Sequence, residues 1–311
     1  MVSLNSLINK ASSSSVSPTV AVAAACDKEV LKAVHLAVEK SLASFILFDN
    51  QDELTQLMEL YFPDLLDNKH VSIQHSATKE EAARETVKAV ASGEAHVVMK
   101  GNLPTSVILQ AVLHKEYGLR TGRVLSHVAA FEVPNFEQLF FITDAAMNIE
   151  PDLKAKAEII QNAVETARAC GIEQPIVAPL AAVETINPAM EPTIDAAALV
   201  AMNKRGQIKN CIVDGPLALD NAISIEAAAQ KGLTGNTAGK ANILLVPNIE
   251  AGNILYKSLI YFAKAKVGAI IQGAKAPIVL TSRADRAESK VYSLALAILA
   301  AQNQTILRRN I

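Results

Sequence analysis

The residues best equipped for chemistry cluster in V-L-T-S-R-A-D-R-A-E-S-K (Val279 to Lys290), where a hydroxyl, a guanidinium and two carboxylates follow an apolar run. The run reads as a buried strand that breaks into a polar turn and then a helix, because Val291 to Gln302 is almost purely apolar and small. Ser282, Arg283, Asp285 and Glu288 then fall at the N-terminal end of that helix. Its unpaired N–H groups and partial positive charge suit a phosphate. Asp285 and Glu288 are three residues apart, and Ser282 lies one turn earlier, so the three can share a helical face. A capped helix with solvated charges accounts for the same residues, since Ser and Asp are ordinary N-caps.

Such a cluster needs a scaffold, and the chain supplies an alternation of short apolar runs with amphipathic stretches from residue 19 onward. The pattern predicts strands at 19–25, 44–48, 71–75 and 95–99, each followed by a helix starting near Asp27, Gln51, Lys79 and Pro104. This βα series implies a parallel sheet. Runs at 124–133 and 139–143, separated by a short turn, read as a hairpin or a crossing between domains. The rhythm then resumes: helix 152–170, strand 176–182, helix 188–203, strand 209–213, helix 221–231, strand 243–246, helix 253–264 and strand 269–272. A second crossing point falls at Gly273 to Pro277. The expected organisation is a discontinuous first α/β domain, 1–134 plus 277–311, with a second α/β domain, 135–276, inserted in it.

Open α/β sheets place ligands at the C-terminal ends of their strands, so the polar residues just past each run form the candidate list. It holds Lys100-Gly101-Asn102, Thr143-Asp144, Asp214-Gly215-Pro216, Pro247-Asn248, Gly252-Asn253 and Thr281-Ser282-Arg283. In the first, glycine permits close backbone approach and lysine can meet an anion; a plain βα turn fits equally. Arg120 and Arg123 add guanidiniums suited to bidentate phosphate contacts, or to a solvated turn. Asp144, with Asn148 one turn on, reads as a substrate-positioning group or an N-cap. Asp214 reads as a turn carboxylate that satisfies backbone donors. Asn253 reads as the cap of the helix it opens.

Composition narrows the classes. Half of the 311 residues are hydrophobic but only 4 % are aromatic, so the cores must be built from Ala, Val, Ile and Leu, as in sheets covered by helices on both faces. A formal charge of −2 gives no general attraction to nucleic acid or anionic lipid. The three cysteines lie far apart and the six histidines show no metal spacing, so neither a disulfide framework nor a metal site is expected. No apolar segment approaches the roughly 18 residues of a membrane span, and the N-terminus reads as no secretory leader. A cytoplasmic protein is expected. P-loop, dinucleotide and nucleophile-elbow motifs are absent.

Taken together, M-K-G-N-L-P-T, L-R-T-G-R-V-L-S-H-V, F-I-T-D-A-A-M-N, I-V-D-G-P-L-A-L-D-N-A, L-L-V-P-N-I-E-A-G-N-I-L-Y-K-S-L and V-L-T-S-R-A-D-R-A-E-S-K resemble the phosphate acetyl/butyryltransferase family, most closely its butyryltransferase branch. The resemblance implies a two-domain fold like that of isocitrate and isopropylmalate dehydrogenases, with an interdomain active-site cleft. It also implies reversible transfer of a butyryl or similar short or branched acyl group between coenzyme A and inorganic phosphate, with no metal or redox cofactor and as a homo-oligomer. Phosphate acetyltransferase, and a non-catalytic coenzyme-A-binding protein, stand as alternatives.

By the same resemblance, Ser282 hydrogen-bonds the oxyanion and Arg283 with Arg123 neutralises the phosphate. Lys100 and Asn102 differ from the acetyltransferase equivalent and are expected to border the acyl or phosphate pocket, while Thr143, Asp144 and Asn253 are expected to bind substrate from their places at strand ends. The acetyltransferases place their thiol-deprotonating aspartate seven residues after the serine, where this chain has Ser289. Glu288, or alternatively Asp285, is the nearest carboxylate to take that role. Pro216, where the acetyltransferases carry glutamate, also favours the butyryl branch.

Overall fold

The computed structural model describes residues 3–13, 18–233, 235–280 and 286–309. In chain order it opens with α1 (Leu4–Ser12), β1 (Thr19–Ala23), α2 (Lys28–Glu39), β2 (Ser44–Asp49), α3 (Gln51–Tyr61), β3 (Val71–His75), α4 (Lys79–Ala91), β4 (Val97–Lys100) and α5 (Thr105–Val112). Next come β5 (Ser126–Glu132), β6 (Leu139–Thr143), α6 (Leu153–Ala169), β7 (Ile176–Pro179), α7 (Glu191–Lys204), β8 (Ile212–Val213), α8 (Leu219–Ile223), α9 (Ile225–Gln230), β9 (Ile243–Leu245) and α10 (Ile249–Tyr261). The chain ends with β10 (Lys266–Gln272), β11 (Ile278–Val279) and α11 (Ala287–Arg309).

These elements form two compact units. The first comprises Asn5–Arg123 and Gly268–Ile311, the second Met1–Leu4 and Val124–Val267. In the first the strand order is β3-β2-β1-β4-β11-β10, parallel except between β10 and β11. In the second it is β5-β6-β9-β7-β8, parallel except between β5 and β6. The β5–β6 pair is the hairpin that the short turn after residue 133 allowed, and the β10–β11 pair is a second reversal where a crossing between domains was expected. Their connections, 133–138 and 273–277, are far too short for a crossover and can only reverse the chain.

Local chemistry explains the elements. β1 and β4 are Val-rich and almost wholly buried, as inner parallel strands must be. The Asp27 carboxylate accepts from the Glu29 and Val30 N–H groups at 2.9 and 3.1 Å and so starts α2. α11 is apolar all round over 291–301 because it packs on α2, β4 and β11 and leaves no face there to water.

Two helix assignments need correction. The helix expected over 221–231 is two helices, since Ser224 ends α8 and its hydroxyl accepts from the Ala227 N–H at 3.2 Å to cap α9. Asn253 does not open the following helix. Asn248 does, accepting from the Ala251 N–H at 3.0 Å, so Asn253 sits a full turn inside α10.

Candidate active site

In the first unit the structure sets Lys100 at the last position of β4, 6 % exposed, with Nζ donating to the carbonyls of Gly101 at 3.1 Å and Leu103 at 3.0 Å. A buried ammonium needs such partners, and these two fix where it stands. The loop behind it is pinned by backbone: Gly101 N–H donates to Ala23 at 2.8 Å and Asn102 N–H to Ala24 at 2.7 Å. This approach to the end of β1 requires a residue without a Cβ. An added Cβ at Gly101 would sit on the Ala24 carbonyl oxygen and 2.7 Å from that of Ala23. Asn102 is thereby held half-buried beside Lys100.

The loop carrying Arg120 and Arg123 is tied to the turn between β10 and β11. The Thr121 hydroxyl donates to the Gly273 carbonyl, Lys275 N–H donates to Leu119 at 2.8 Å, and Arg123 N–H donates to Thr121 Oγ1 at 3.1 Å. Gly122, at φ 86°, supplies the left-handed step that makes the loop turn between the two arginines. Arg123 is half-buried and Arg120 exposed.

Glu288 stands in the first turn of α11. The Tyr292 hydroxyl lies 2.7 Å from its Oε1 and 3.2 Å from Asn5 Oδ1; its one proton favours the nearer, charged acceptor. Ser282, Arg283 and Asp285 lie outside the described residues.

In the second unit the candidates are engaged by neighbouring groups of the same unit. Thr143 is fully buried and its hydroxyl donates to the His127 carbonyl at 2.8 Å, stitching β6 to β5. Asp144, 3 % exposed, accepts from the N–H groups of Ala146, Met147 and Asn148 at 2.9, 3.0 and 3.2 Å, and from Asn148 Nδ2 at 2.6 Å. Four donors on one carboxylate fold 144–148 into a closed loop, and Asn148 Nδ2 also reaches the Leu125 carbonyl at 2.9 Å. Asn253 touches this loop only at 3.4 Å, through the Ala145 carbonyl. Gly252 lets α10 come so near: an added Cβ would lie 2.8 Å from the Asp144 carbonyl oxygen and 2.9 Å from Ala145 Cα. Asp214 accepts from the side-chain hydroxyl of Thr237, 23 residues on, rather than from the backbone donors of its own turn.

Sequence patterns miss the buried pair of Lys156 Nζ and Asp195 Oδ2, 2.5 Å apart under the ends of β7 and β9. The available signal is a lysine amid Ile159, Ile160 and Ala163 on the inward side of α6. Cys211 and Cys26 are poor nucleophiles. Burial pushes Cys211 up to about 11, and Cys26 is raised by burial and then by Asp49, Glu53 and Asp27. Among the described residues no helix is long and apolar enough to cross a membrane.

Comparison with known proteins bears on the fold and the family. The fold is an α/β fold shared, at a TM-score of 0.56 and 11 % identity, with 4-hydroxythreonine-4-phosphate dehydrogenase from Klebsiella pneumoniae, covering 92 % of this chain and all of that one. It is matched more fully by a branched-chain phosphotransacylase from Enterococcus faecalis V583, with TM-score 0.81, 38 % identity, and 91 % and 99 % of the two chains covered. The profile described as Phosphate acetyl/butaryl transferase matches residues 64–298.

A probable phosphate butyryltransferase of Bacillus subtilis is 57 % identical over 97 % of this chain and 99 % of its own length. The phosphate butyryltransferase of Clostridium acetobutylicum is 49 % identical over the same shares. A phosphate acetyltransferase of Thermotoga maritima is 44 % identical over 90 % of this chain and 94 % of its own. The chain belongs to the phosphate acetyl/butyryltransferase family of acyltransferases.

Proposed function

We propose that the chain catalyses the reversible transfer of a butyryl or similar short or branched acyl group between coenzyme A and inorganic phosphate, in the cytoplasm, as a homo-oligomer and without a resident cofactor. The observation that carries this reading is its 57 % identity, end to end, with a relative named as a probable phosphate butyryltransferase, against 44 % with the acetyltransferase. The branched-chain name of the 38 % identical phosphotransacylase supports the wider acyl range.

In the direction of acyl-CoA formation, a carboxylate takes the proton of the coenzyme A thiol and the thiolate attacks the carbonyl carbon of the acyl phosphate. The carbon–oxygen bond to phosphate then breaks. In reverse, a phosphate oxygen attacks the thioester, the carbon–sulfur bond breaks and the thiolate recovers the proton. Glu288 or Asp285 is the carboxylate, Ser282 the donor to the tetrahedral oxyanion, and Arg283 with Arg123 the clamp on phosphate. The fixed ammonium of Lys100, with Asn102 beside it, supports a role at the phosphate or acyl group. Thr143, Asp144 and Asn253 serve by holding the 143–148 loop in shape.

One assay decides. Thiol release from butyryl-, isobutyryl- and acetyl-CoA is followed with and without phosphate. Release should require phosphate, and kcat/KM for butyryl-CoA should exceed that for acetyl-CoA at least about tenfold, since a methylene in an apolar pocket is worth roughly 1–3 kcal/mol. Preference for acetyl-CoA would make the chain an acetyltransferase, and binding without phosphate-dependent release a coenzyme-A-binding protein.

A further inference from the structure

Tyr292, in the second turn of α11, is one of the largest fully buried side chains and only 2 % exposed. A phenol at that depth must find a partner for its hydroxyl. The partner is Glu288, four residues earlier and therefore on the same helical face, whose Oε1 accepts from Tyr292 Oη at 2.7 Å. Glu288 is itself exposed, so a buried and immobile group holds a carboxylate that faces water.

The phenol is fixed from two sides, all within the first unit. Strand β10 passes so close to α11 that a Cβ added at Gly268 would lie 2.8 Å from the Tyr292 carbonyl carbon and 2.9 Å from its Cβ. Beside it, the Ser293 hydroxyl accepts from Ala269 N–H at 2.9 Å and donates to the Ser289 carbonyl at 2.9 Å, which clasps the start of α11 to β10. On the other side the Asn5 carboxamide of α1 stands 3.2 Å from the phenol oxygen. The single phenol proton goes to Glu288, so the carboxamide serves that contact best with its nitrogen turned to the phenol and donating to it. Asn5, Tyr292 and Glu288 then form one chain of hydrogen bonds in which each donor strengthens the next.

We propose that Tyr292 is a positioning residue for Glu288: its hydroxyl ties down Oε1, so that Oε2 is the oxygen left to take the proton of the coenzyme A thiol. The inference rests on the reading of Glu288 as the carboxylate of the reaction and adds what holds it. An exposed glutamate on a helical turn otherwise samples many rotamers, and a group displaced by about 1 Å from its reacting partner loses on the order of a hundredfold in rate. Tyr292 acts through Glu288 alone, and Asn5 backs the phenol from behind.

The test follows butyryl-CoA formation from butyryl phosphate and coenzyme A in the full chain, with Glu288→Gln, Tyr292→Phe, the two combined, and Asn5→Asp, each checked for folding by circular dichroism. Tyr292→Phe should lower kcat about tenfold, part of the hundredfold or more that a positioned base supplies, and leave both KM values within about twofold. In the Glu288→Gln background it should add less than about twofold, because the two residues act as a unit. Asn5→Asp, isosteric and at an exposed position, gives the phenol a second carboxylate acceptor and should lower kcat several-fold with KM unchanged. Glu288→Gln at the wild-type rate would remove Glu288 from the reaction and Tyr292 with it. A slow Glu288→Gln beside a Tyr292→Phe of wild-type rate would leave Glu288 in its role and sink the positioning. Tyr292→Phe acting through KM, or as damaging with Gln at 288 as with Glu, would make its part merely structural and overturn the proposal. Should Tyr292→Phe fail to fold, an unchanged kcat in Asn5→Asp overturns it instead.

Discussion

Replacing Gly101 by alanine tests whether the loop holding Lys100 is set by backbone contact with β1. The added Cβ falls on the Ala24 carbonyl oxygen and 2.7 Å from that of Ala23, where carbon and oxygen ordinarily keep about 3.3 Å. The loop must therefore retreat by about an ångström, since the contact with the Ala24 oxygen is much the nearer of the two. The same two carbonyls accept from Gly101 N–H at 2.8 Å and Asn102 N–H at 2.7 Å, so the retreat stretches both hydrogen bonds. Overpacking costs about 1–3 kcal/mol and each hydrogen bond about 0.5–1.5, giving a loss of roughly 2–6 kcal/mol. That corresponds to a Tm lower by roughly 4–20 °C.

If Lys100 and Asn102 border the substrates, a shift approaching 1 Å also lowers kcat/KM by about a hundredfold at temperatures where the variant is folded. Gly235→Ala is the control, because a Cβ there meets nothing within 4 Å. Thermal unfolding and phosphate-dependent thiol release measure the two effects. A Gly101→Ala chain as stable and as active as Gly235→Ala would refute the steric argument.

Other expectations follow from the same geometry. Glu288→Gln and Asp285→Asn, assayed for rate against pH, should leave at least one variant with slowed acyl-CoA formation and a changed alkaline or acid limb; wild-type behaviour in both would remove the carboxylate from the proton transfer. Asp144→Ala strips the acceptor from three backbone N–H groups and should cost about 3–5 kcal/mol in urea unfolding, whereas Asn253→Ala, losing one contact of 3.4 Å, should cost under about 1 kcal/mol. Cys211, pushed from 9.0 up to about 11, should react with a thiol reagent at pH 8 about a hundredfold more slowly in the folded chain than when unfolded. Because its folded value is raised, the stability it contributes is complete below pH 9 and is lost as pH rises towards 11; a melting temperature rising over that window would contradict the burial.

Much of the architecture is legible in the sequence because apolar periodicity and caps are local. β3 spans the residues its pattern predicts, and α3 and α4 begin at the expected Gln51 and Lys79. What periodicity cannot show is strand direction. That depends on how far the connection reaches, and the five residues between β10 and β11 reverse the chain where the sequence suggested a crossing between domains. Caps mislead where two are near: Pro247-Asn248 and Gly252-Asn253 both offer an asparagine ahead of apolar residues, and only the backbone shows that the first is used. The strand-end rule finds the candidate residues, yet it cannot tell a side chain held for substrate from one already engaged. The Thr143 hydroxyl is engaged by a carbonyl sixteen residues away in sequence, and no local pattern announces it.

The same limit explains why glycine is the more telling residue at both strand-end loops. Lys100 and Asp144 are buried charges, and each stands where it does because backbone groups meet it at hydrogen-bond distance. Those backbone groups can converge only if the neighbouring segment comes closer than a Cβ allows. Gly101 opens that space against β1, and Gly252 opens it between α10 and the Asp144 turn. Filling either glycine moves the loop whatever charge it carries, so steric demand on the backbone, rather than the identity of the polar residues, is what makes K-G-N and E-A-G-N specific as sequence signals.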